Sequence, residues 1–203
     1  MCIRDRDRID RLPPRLAGEQ VLAEALPPEP RRVLDLGCGD GRLAGLVVDA
    51  RPSVEAVVCA DRSAAMLEKA QERFAGDVRV EIVTHDLADP VGPLAEGGPF
   101  DVVVTGFAVH HVDDDRKRDL YREAAAVLAP GGLLANIEIV QSATPALHAT
   151  FLAAIGRDAD DPEDRLAPVE PQLEWLRGAG LTDVDCLWRW RGMALLAGWA
   201  PPA

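Results

Sequence analysis

The chain has 203 residues, which is the length of a single domain, and 48% of them are hydrophobic, enough for a packed core. Its 22 Lys and Arg against 34 Asp and Glu give a formal net charge of −12, which argues against a broad basic surface that holds nucleic acid. No apolar stretch approaches the roughly 18 residues of a spanning helix, and no signal-peptide core follows Met1. We therefore expect a soluble, cytoplasmic protein without a membrane partner.

The cysteines are spaced too widely for a metal site or a disulfide framework. No CxxC pair occurs, so we predict no metal ion and reduced thiols. The four residues are Cys2, Cys38, Cys59 and Cys186.

The first predicted helix follows an irregular amino terminus. Residues 1–14 are charged and are expected to be disordered or not native to the protein. Apolar positions then recur with helical spacing from Arg15 to Leu26, and two prolines end the helix. From this helix onward, residues 15–200 are predicted to form one domain.

Strands and helices alternate after this helix, which is typical of parallel βαβ units in a doubly wound sheet. One helix is expected after the glycine-rich turn that follows the first strand, and it ends at about Ala50. Two more helices are expected from Ser63 to Phe74 and from Asp115 to Leu128, and a Pro-Gly-Gly turn ends the latter. The predicted strands are Val33–Leu36, Val54–Ala60, Val78–Thr84, Asp101–Thr105 and Leu133–Val140.

The carboxyl-terminal part differs from these units. Helices are predicted at Pro145–Ile155 and Val169–Gly178, with the acidic run Asp158–Asp164 between them as a solvated loop. Two further strands, Asp183–Trp190 and Met193–Trp199, are separated by two residues only. Such spacing predicts a hairpin, so the last strand runs antiparallel to the one before it.

The strongest local signal is a glycine-rich turn, Asp35–Gly41, between a strand and a helix. Glycines let the backbone approach a ligand closely, and the helix start presents free N–H groups. Asp61 ends the second strand, where a carboxylate can accept hydrogen bonds from both hydroxyls of a ribose. The pattern predicts a nucleoside-binding site at the carboxyl edge of the sheet.

Two ligand classes use such a site, a dinucleotide and S-adenosylmethionine. The dinucleotide fingerprint has a glycine or alanine at its sixth position, where this chain has Arg42. Asp35 would also lie beside an anionic pyrophosphate, whereas a ligand with an ammonium and a sulfonium tolerates a carboxylate there. The sequence favours S-adenosylmethionine as the cofactor.

Five segments resemble, in order, motifs of the class I S-adenosylmethionine-dependent methyltransferases that act on small molecules. The similarity covers roughly residues 31–199. The segments are Val33–Gly41, Val58–Leu67, His85–Leu87, Phe100–Val112 and Leu128–Leu134.

The resemblance implies an α/β fold whose seven-stranded sheet has the order 3-2-1-4-5-7-6, with strand 7 antiparallel. It also implies that Gly37 and Gly39 meet the methionine moiety, Asp61 the ribose, Asp86 the adenine amino group and the Leu87 N–H the adenine ring. The remaining cofactor-binding residues implied are Asp35, Cys38, Arg62, Met66, Thr105 and Gly106.

Plainer roles remain open for several of these residues. Asp35 could cap the glycine turn, Asp61 could cap the helix that begins near Ser63, and Met66 could belong to the core. Trp188 and Trp190 share one face of a strand, because they are two residues apart. Their side chains could pack at the edge of the sheet or stack on an acceptor molecule.

His110 and His111 follow the fourth strand, near the place expected for the reacting methyl group, and are the candidate catalytic residues. A neutral imidazole can remove a proton from an attacking atom. Alternatively, the pair shapes the edge of the pocket without acting as a base.

The predicted activity is methyl transfer to the oxygen, nitrogen or carbon of a small-molecule acceptor. Strand 4 continues with Thr105–Ala108 and lacks the Asn/Asp-Pro-Pro-Tyr/Phe pattern used on planar amino nitrogens, which lowers nucleic acid as a substrate. Two alternatives stay open. The segment Trp188–Trp199 faintly resembles the end of carboxy-S-adenosylmethionine synthase-like proteins, so the cofactor could serve a reaction other than methyl transfer. The protein could also bind the cofactor without turnover, as the partner of another subunit. The oligomeric state is not indicated.

Overall fold

A seven-stranded sheet flanked by helices forms the protein in the computed structural model, which describes residues 13–203. The expectations for residues 1–12, including Cys2, lie outside the described residues. The helices are α1 (Pro13–Ala25), α2 (Arg42–Ala50), α3 (Ala64–Arg73), α4 (Asp114–Ala126), α5 (Pro145–Ile155) and α6 (Val169–Gly178). The strands are β1 (Arg32–Leu36), β2 (Ala56–Asp61), β3 (Val80–Thr84), β4 (Phe100–Gly106), β5 (Leu128–Ile139), β6 (Thr182–Trp190) and β7 (Met193–Trp199).

The strand order is β3-β2-β1-β4-β5-β7-β6, as predicted. The pairs among β1 to β5 are parallel, whereas β7 runs antiparallel to both β5 and β6. A two-residue turn joins β6 to β7, and Arg191 in this turn has a φ of 52°. So short a connection leaves no room for a crossover helix, which makes the hairpin and the reversed strand necessary.

The sheet is buried on both faces, so its central strands are apolar at consecutive positions. Val33 faces one core, to which α1, α2 and α5 contribute Leu22, Val47 and Phe151. The neighbouring Leu34 faces the other core, which is completed by α4 and α6. The loops at the carboxyl ends of β1 to β4 are thereby held on a rigid base.

Several predicted boundaries differ from the structure by one to five residues, and two of these differences have a clear physical reason. Pro13 and Pro14, expected in the irregular amino terminus, form the first residues of α1, where proline is tolerated because the first N–H groups have no intrahelical acceptor. Helix α4 ends at Ala126 rather than Leu128, because β5 already begins at Leu128 opposite Phe100. The register shift that follows absorbs the Pro-Gly-Gly segment before Val102 pairs with Leu133.

Helix α1 packs closely against the far edge of the sheet. A Cβ atom on Gly18 would lie 2.8 Å from the ring of Trp188. Trp188 and Trp190 both pack on the core, and Trp190 meets Phe151 edge to face at 6.3 Å. Both tryptophans therefore pack at the edge of the sheet, the first of the two roles considered for them. Among the helices of residues 13–203, none combines the length and apolar character needed to cross a membrane.

Candidate active site

A pocket opens where β1, β2, β3 and β4 end, and the loops after these strands form its walls. Seven of the residues predicted for the site line it, namely Gly37, Asp61, Arg62, Met66, Asp86, Leu87 and His111. Sequence reasoning did not select the other lining residues, which are Ser63, Ala65, His85, Phe107, Ala108 and Val112. The fold thus assembles one site from four separate segments.

The glycine turn brings the loop after β1 against the loop after β4. Gly37 has a φ of +72°, and a Cβ atom there would lie 2.5 Å from the Cβ of Ala108. Its N–H and that of Cys38 both donate to the carbonyl of Ala60, at 2.8 and 3.0 Å. Only glycine fits a left-handed backbone this close to a neighbouring loop.

Asp61 holds the pocket floor with both carboxylate oxygens. The Gly39 N–H donates to Oδ2 and the Ser63 N–H donates to Oδ1, each at 2.8 Å. Ser63 is the N-cap residue of α3, so the carboxylate supports the helix start and also lines the pocket. Each carboxylate oxygen keeps further acceptor capacity that can face a ligand.

Five residues predicted to bind the cofactor do not line the pocket. Gly39 meets it only through the N–H that it donates to Asp61, and the other four lie behind the pocket wall. Asp35 is 1% exposed and accepts the N–H of Ala44 at 2.9 Å, so its carboxylate supports the first turn of α2, directly after the glycine turn that it was expected to cap. Cys38 is buried, and the neighbouring Cys59 thiol together with burial raises the pKa of the Cys38 thiol far above its ordinary value. Thr105 is buried too, and Gly106 packs on a leucine of α2. Their contact with a cofactor stays a prediction.

The loop after β3 is fixed from below by an arginine that sequence reasoning missed. Arg116 of α4 donates from Nε to the Leu87 carbonyl at 2.6 Å and from Nη2 to the Asp89 carbonyl at 2.8 Å. Its guanidinium also binds both oxygens of Glu123, at 2.7 and 2.9 Å. Nothing in the local sequence distinguishes this arginine from its neighbours on α4.

Asp86 and His85 face the pocket from the same loop. The Ala88 N–H donates to Oδ1 of Asp86 at 2.9 Å, and Arg62 lies 3.7 Å from Oδ2. Nε2 of His85 is buried and has no hydrogen-bond partner among the described residues. Burial lowers the pKa of His85, so this ring is neutral at pH 7.

The two histidines after β4 occupy different environments. They share a 3₁₀ turn, Val109–His111, with ring centroids 4.0 Å apart. His110 is 1% exposed, and its Nδ1 lies 2.6 Å from Oε1 of Glu138 on β5. His111 lines the pocket.

Electrostatics separate the two rings. Burial disfavours charged His110, but the charge and hydrogen bond of Glu138 outweigh it and raise the pKa of His110 above 6.5. Burial and the neighbouring His110 lower the pKa of His111. The pKa values of two rings in contact are therefore shifted in opposite directions.

The segment between α5 and α6 closes over these histidines. It was predicted to be a solvated loop, but Asp164 at its end is only 3% exposed on its side chain. Oδ1 of Asp164 lies 3.5 Å from Nε2 of His110 and 3.7 Å from Nδ1 of His111. The next residue, Arg165, donates its N–H to the His110 carbonyl at 2.6 Å. Those backbone and side-chain contacts bury the end of the acidic run.

Comparison with known proteins identifies the domain. A family model described as a methyltransferase domain matches residues 33–132, which hold the glycine turn, Asp61, Asp86 and both histidines. An O-methyltransferase family protein from Burkholderia thailandensis superposes with a TM-score of 0.72 and 26% identity, over 93% of this chain and 57% of that one. The chain belongs to the class I S-adenosylmethionine-dependent methyltransferases.

Curated relatives match this methyltransferase domain over part of their own length. An uncharacterized methyltransferase of Mycobacterium bovis is 35% identical over 133 residues, covering 61% of this chain and 59% of the relative. A ubiquinone biosynthesis O-methyltransferase of Caulobacter sp. is 37% identical over 133 residues, covering 65% of this chain and 48% of the relative. The matched region thus spans about half the length of these proteins.

Proposed function

We propose that the protein binds S-adenosylmethionine in the pocket at the ends of β1 to β4 and transfers its methyl group to an oxygen, nitrogen or carbon of a small-molecule acceptor. The observation that carries this proposal is the Asp61 carboxylate. It is oriented by two backbone N–H groups at the pocket floor, opposite a glycine loop too close to Ala108 to admit a side chain.

Each wall of the pocket suits one part of the cofactor. Asp61 would accept hydrogen bonds from the ribose hydroxyls, and the backbone of Gly37 and Gly39 would meet the methionine moiety. Asp86 and the Leu87 N–H would take the adenine edge, because Arg116 fixes their loop. Met66 and Arg62 line the same side and would flank the adenine ring.

The charge of the pocket favours a cationic cofactor over a dinucleotide. Asp61 and Asp86 line it, and Arg62 is its single Lys or Arg side chain among the described residues. Arg62 already lies 3.7 Å from Asp86. A pyrophosphate would meet two carboxylates and a single guanidinium that already lies beside one of them, whereas an ammonium and a sulfonium are attracted to the carboxylates.

Catalysis in this pocket would rest mainly on placement. When bound, S-adenosylmethionine supplies a methyl group already activated by a positive sulfur, so in-line displacement by a positioned acceptor completes the transfer. His111 lines the pocket and would border the acceptor, while buried His110 would act as a positioning residue through its contacts with Glu138 and the His111 ring. The acceptor proton, where there is one, leaves to the medium or to a neighbouring base.

A small-molecule acceptor agrees with the acidic net charge and with the relative named for ubiquinone biosynthesis. Action as one domain over residues 15–200 and a cytoplasmic location are part of the same proposal.

Cofactor class is tested by thermal unfolding. At about 100 times its Kd, a ligand that binds only the folded state stabilises it by roughly 2.7 kcal/mol. For a domain of this size, we expect S-adenosylhomocysteine to raise the melting temperature by roughly 5–10 °C. NADH, the matched control, is expected to leave it unchanged. A shift with NADH and none with S-adenosylhomocysteine would contradict the proposal.

Turnover is tested by incubating the protein with S-adenosylmethionine and a metabolite extract. Formation of S-adenosylhomocysteine that depends on the extract is the expected result. Binding without any turnover in extracts of several sources would instead favour the non-catalytic alternative.

A further inference from the structure

Three metal-binding atoms converge beside the pocket. Nε2 of His110, Nδ1 of His111 and a carboxylate oxygen of Asp164 all lie within 4.8 Å of one another. The two nitrogens are 3.5 and 3.7 Å from Oδ1 of Asp164. Ligand atoms about 2.0–2.1 Å from a tetrahedral zinc ion are about 3.3 Å apart, so the two separations between a ring nitrogen and the carboxylate need to contract only slightly.

One of the three facing atoms is buried without a contact that explains its burial. Nδ1 of His111 is buried and has no hydrogen-bond partner among residues 13–203. Oδ2 of Asp164 accepts the Asp161 N–H at 3.1 Å and lies 3.8 Å from Arg157, but Oδ1 faces the two rings at distances too long for hydrogen bonds. A buried nitrogen without a partner, like Nδ1 of His111, calls for a missing one.

Glu138 supplies the support that metal-binding histidines usually have. Its Oε1 lies 2.6 Å from Nδ1 of His110, which leaves Nε2 of that ring directed at Asp164. Glu138 is itself fixed, because its carboxylate accepts the N–H groups of His110 at 3.1 Å and Ile139 at 2.7 Å. A carboxylate behind the imidazole sets the ring orientation and raises its basicity toward a metal.

We propose that His110, His111 and Asp164 bind a divalent cation of the zinc class, with Glu138 orienting His110. Two imidazoles and one carboxylate are a ligand set that leaves a coordination position for water or substrate. The sequence predicted no metal ion because the cysteines are widely spaced, but this site contains no cysteine. The two adjacent histidines do not predict it either, because its third ligand, Asp164, comes from a distant segment.

The position of this cation site points to an acceptor class. His111 lines the cofactor pocket, and Asp164 lines a second cavity of ≈400 Å³ whose wall includes Ser142, Thr144 and His148. A cation between the two cavities would hold an acceptor through a hydroxyl or enol oxygen. That assignment rests on the proposed function, whereas cation binding itself does not.

The competing arrangement needs no metal. In it, a protonated His110 bridges the buried carboxylates of Glu138 and Asp164, with Arg157 beside the latter. The two arrangements differ in direct metal binding, which can be measured without S-adenosylmethionine or an acceptor.

The experiment titrates chelator-treated protein with Zn²⁺ by calorimetry and with Co²⁺ by visible absorption. We expect one equivalent of each metal and a Co²⁺ spectrum of low coordination number. Glu138→Gln is expected to weaken Zn²⁺ binding by about 10–100-fold, the usual range for a supporting residue. Asp164→Asn and His111→Asn each remove a ligand and are expected to weaken it further.

The matched controls are Asp158→Asn, an exposed carboxylate on the same loop, and His148→Asn, a histidine outside the cluster; both should bind Zn²⁺ like the unaltered protein. Circular dichroism checks that each variant is folded, and the half-buried His111→Asn is informative even if Glu138→Gln does not fold. Absence of Zn²⁺ and Co²⁺ binding, or binding equal in Asp164→Asn, His111→Asn and the unaltered protein, would overturn the proposal in favour of the bridging imidazolium.

Discussion

Replacing Asp61 by alanine is expected to weaken S-adenosylhomocysteine binding by roughly 10–150-fold, which corresponds to the 1.5–3 kcal/mol of hydrogen bonds to a charged group. The substitution removes the acceptor for the ribose, and it also leaves the N–H groups of Gly39 and Ser63 without their carboxylate. Because those amides lose their acceptor, the ligand-free protein should lose about 1–3 kcal/mol of stability as well. The Asp61→Ala variant is expected to fold, with a lower free energy of unfolding than the unaltered protein.

Calorimetric titration measures the affinity, and urea unfolding of the ligand-free protein measures the stability. Glu68→Ala is the matched control, because Glu68 is exposed on α3 and does not line the pocket. An unchanged affinity in Asp61→Ala would return Asp61 to a helix-capping role alone.

Replacing Glu19 by glutamine is expected to lower the free energy of unfolding by about 3–5 kcal/mol, the usual cost of removing one partner of a buried ion pair. Glu19 is 5% exposed on α1 and binds two guanidinium groups. Arg42 of α2 donates to both of its oxygens at 2.7 Å, and Arg15 donates to Oε1 at 2.8 Å. This carboxylate therefore ties α1 to the helix that follows the glycine turn.

The matched control is Glu24→Gln, an exposed position on the same helix whose side chain accepts a hydrogen bond from Gln20. Its effect should stay within about 0.5 kcal/mol by urea unfolding. A loss for Glu19→Gln no larger than that of the control would show that the buried network is stabilised without this carboxylate.

The same carboxylate predicts a pH dependence. Burial opposes ionisation of Glu19, but the hydrogen bonds from Arg42 and Arg15 outweigh it and hold its pKa below 4.5. A lowered folded-state pKa stabilises the protein above about pH 4.5, and this contribution is lost as the pH falls through the folded-state pKa. Stability should consequently fall less steeply with acid in Glu19→Gln than in the unaltered protein.

The sequence by itself determined the elements and much of their order. Apolar periodicity located every strand of the sheet, and the two-residue turn at Arg191 required the antiparallel β7, because these signals depend on neighbouring residues. The glycine turn and Asp61 were recognisable for the same reason, since backbone conformation and strand-end position are local properties. Both lie in the pocket wall or its floor.

The tertiary structure alone decided which distant groups support the site. Arg116 fixes the loop after β3, and Glu138 holds His110. Asp164 packs against both histidines, although its acidic segment was predicted to be a solvated loop. It also decided that Asp35 and Cys38, although within the glycine turn, face the interior rather than the pocket. Such contacts join residues far apart in the chain, and they depend on how helices and loops pack on the sheet. Local sequence patterns do not predict such long-range contacts, so these partners could be identified only from the tertiary structure.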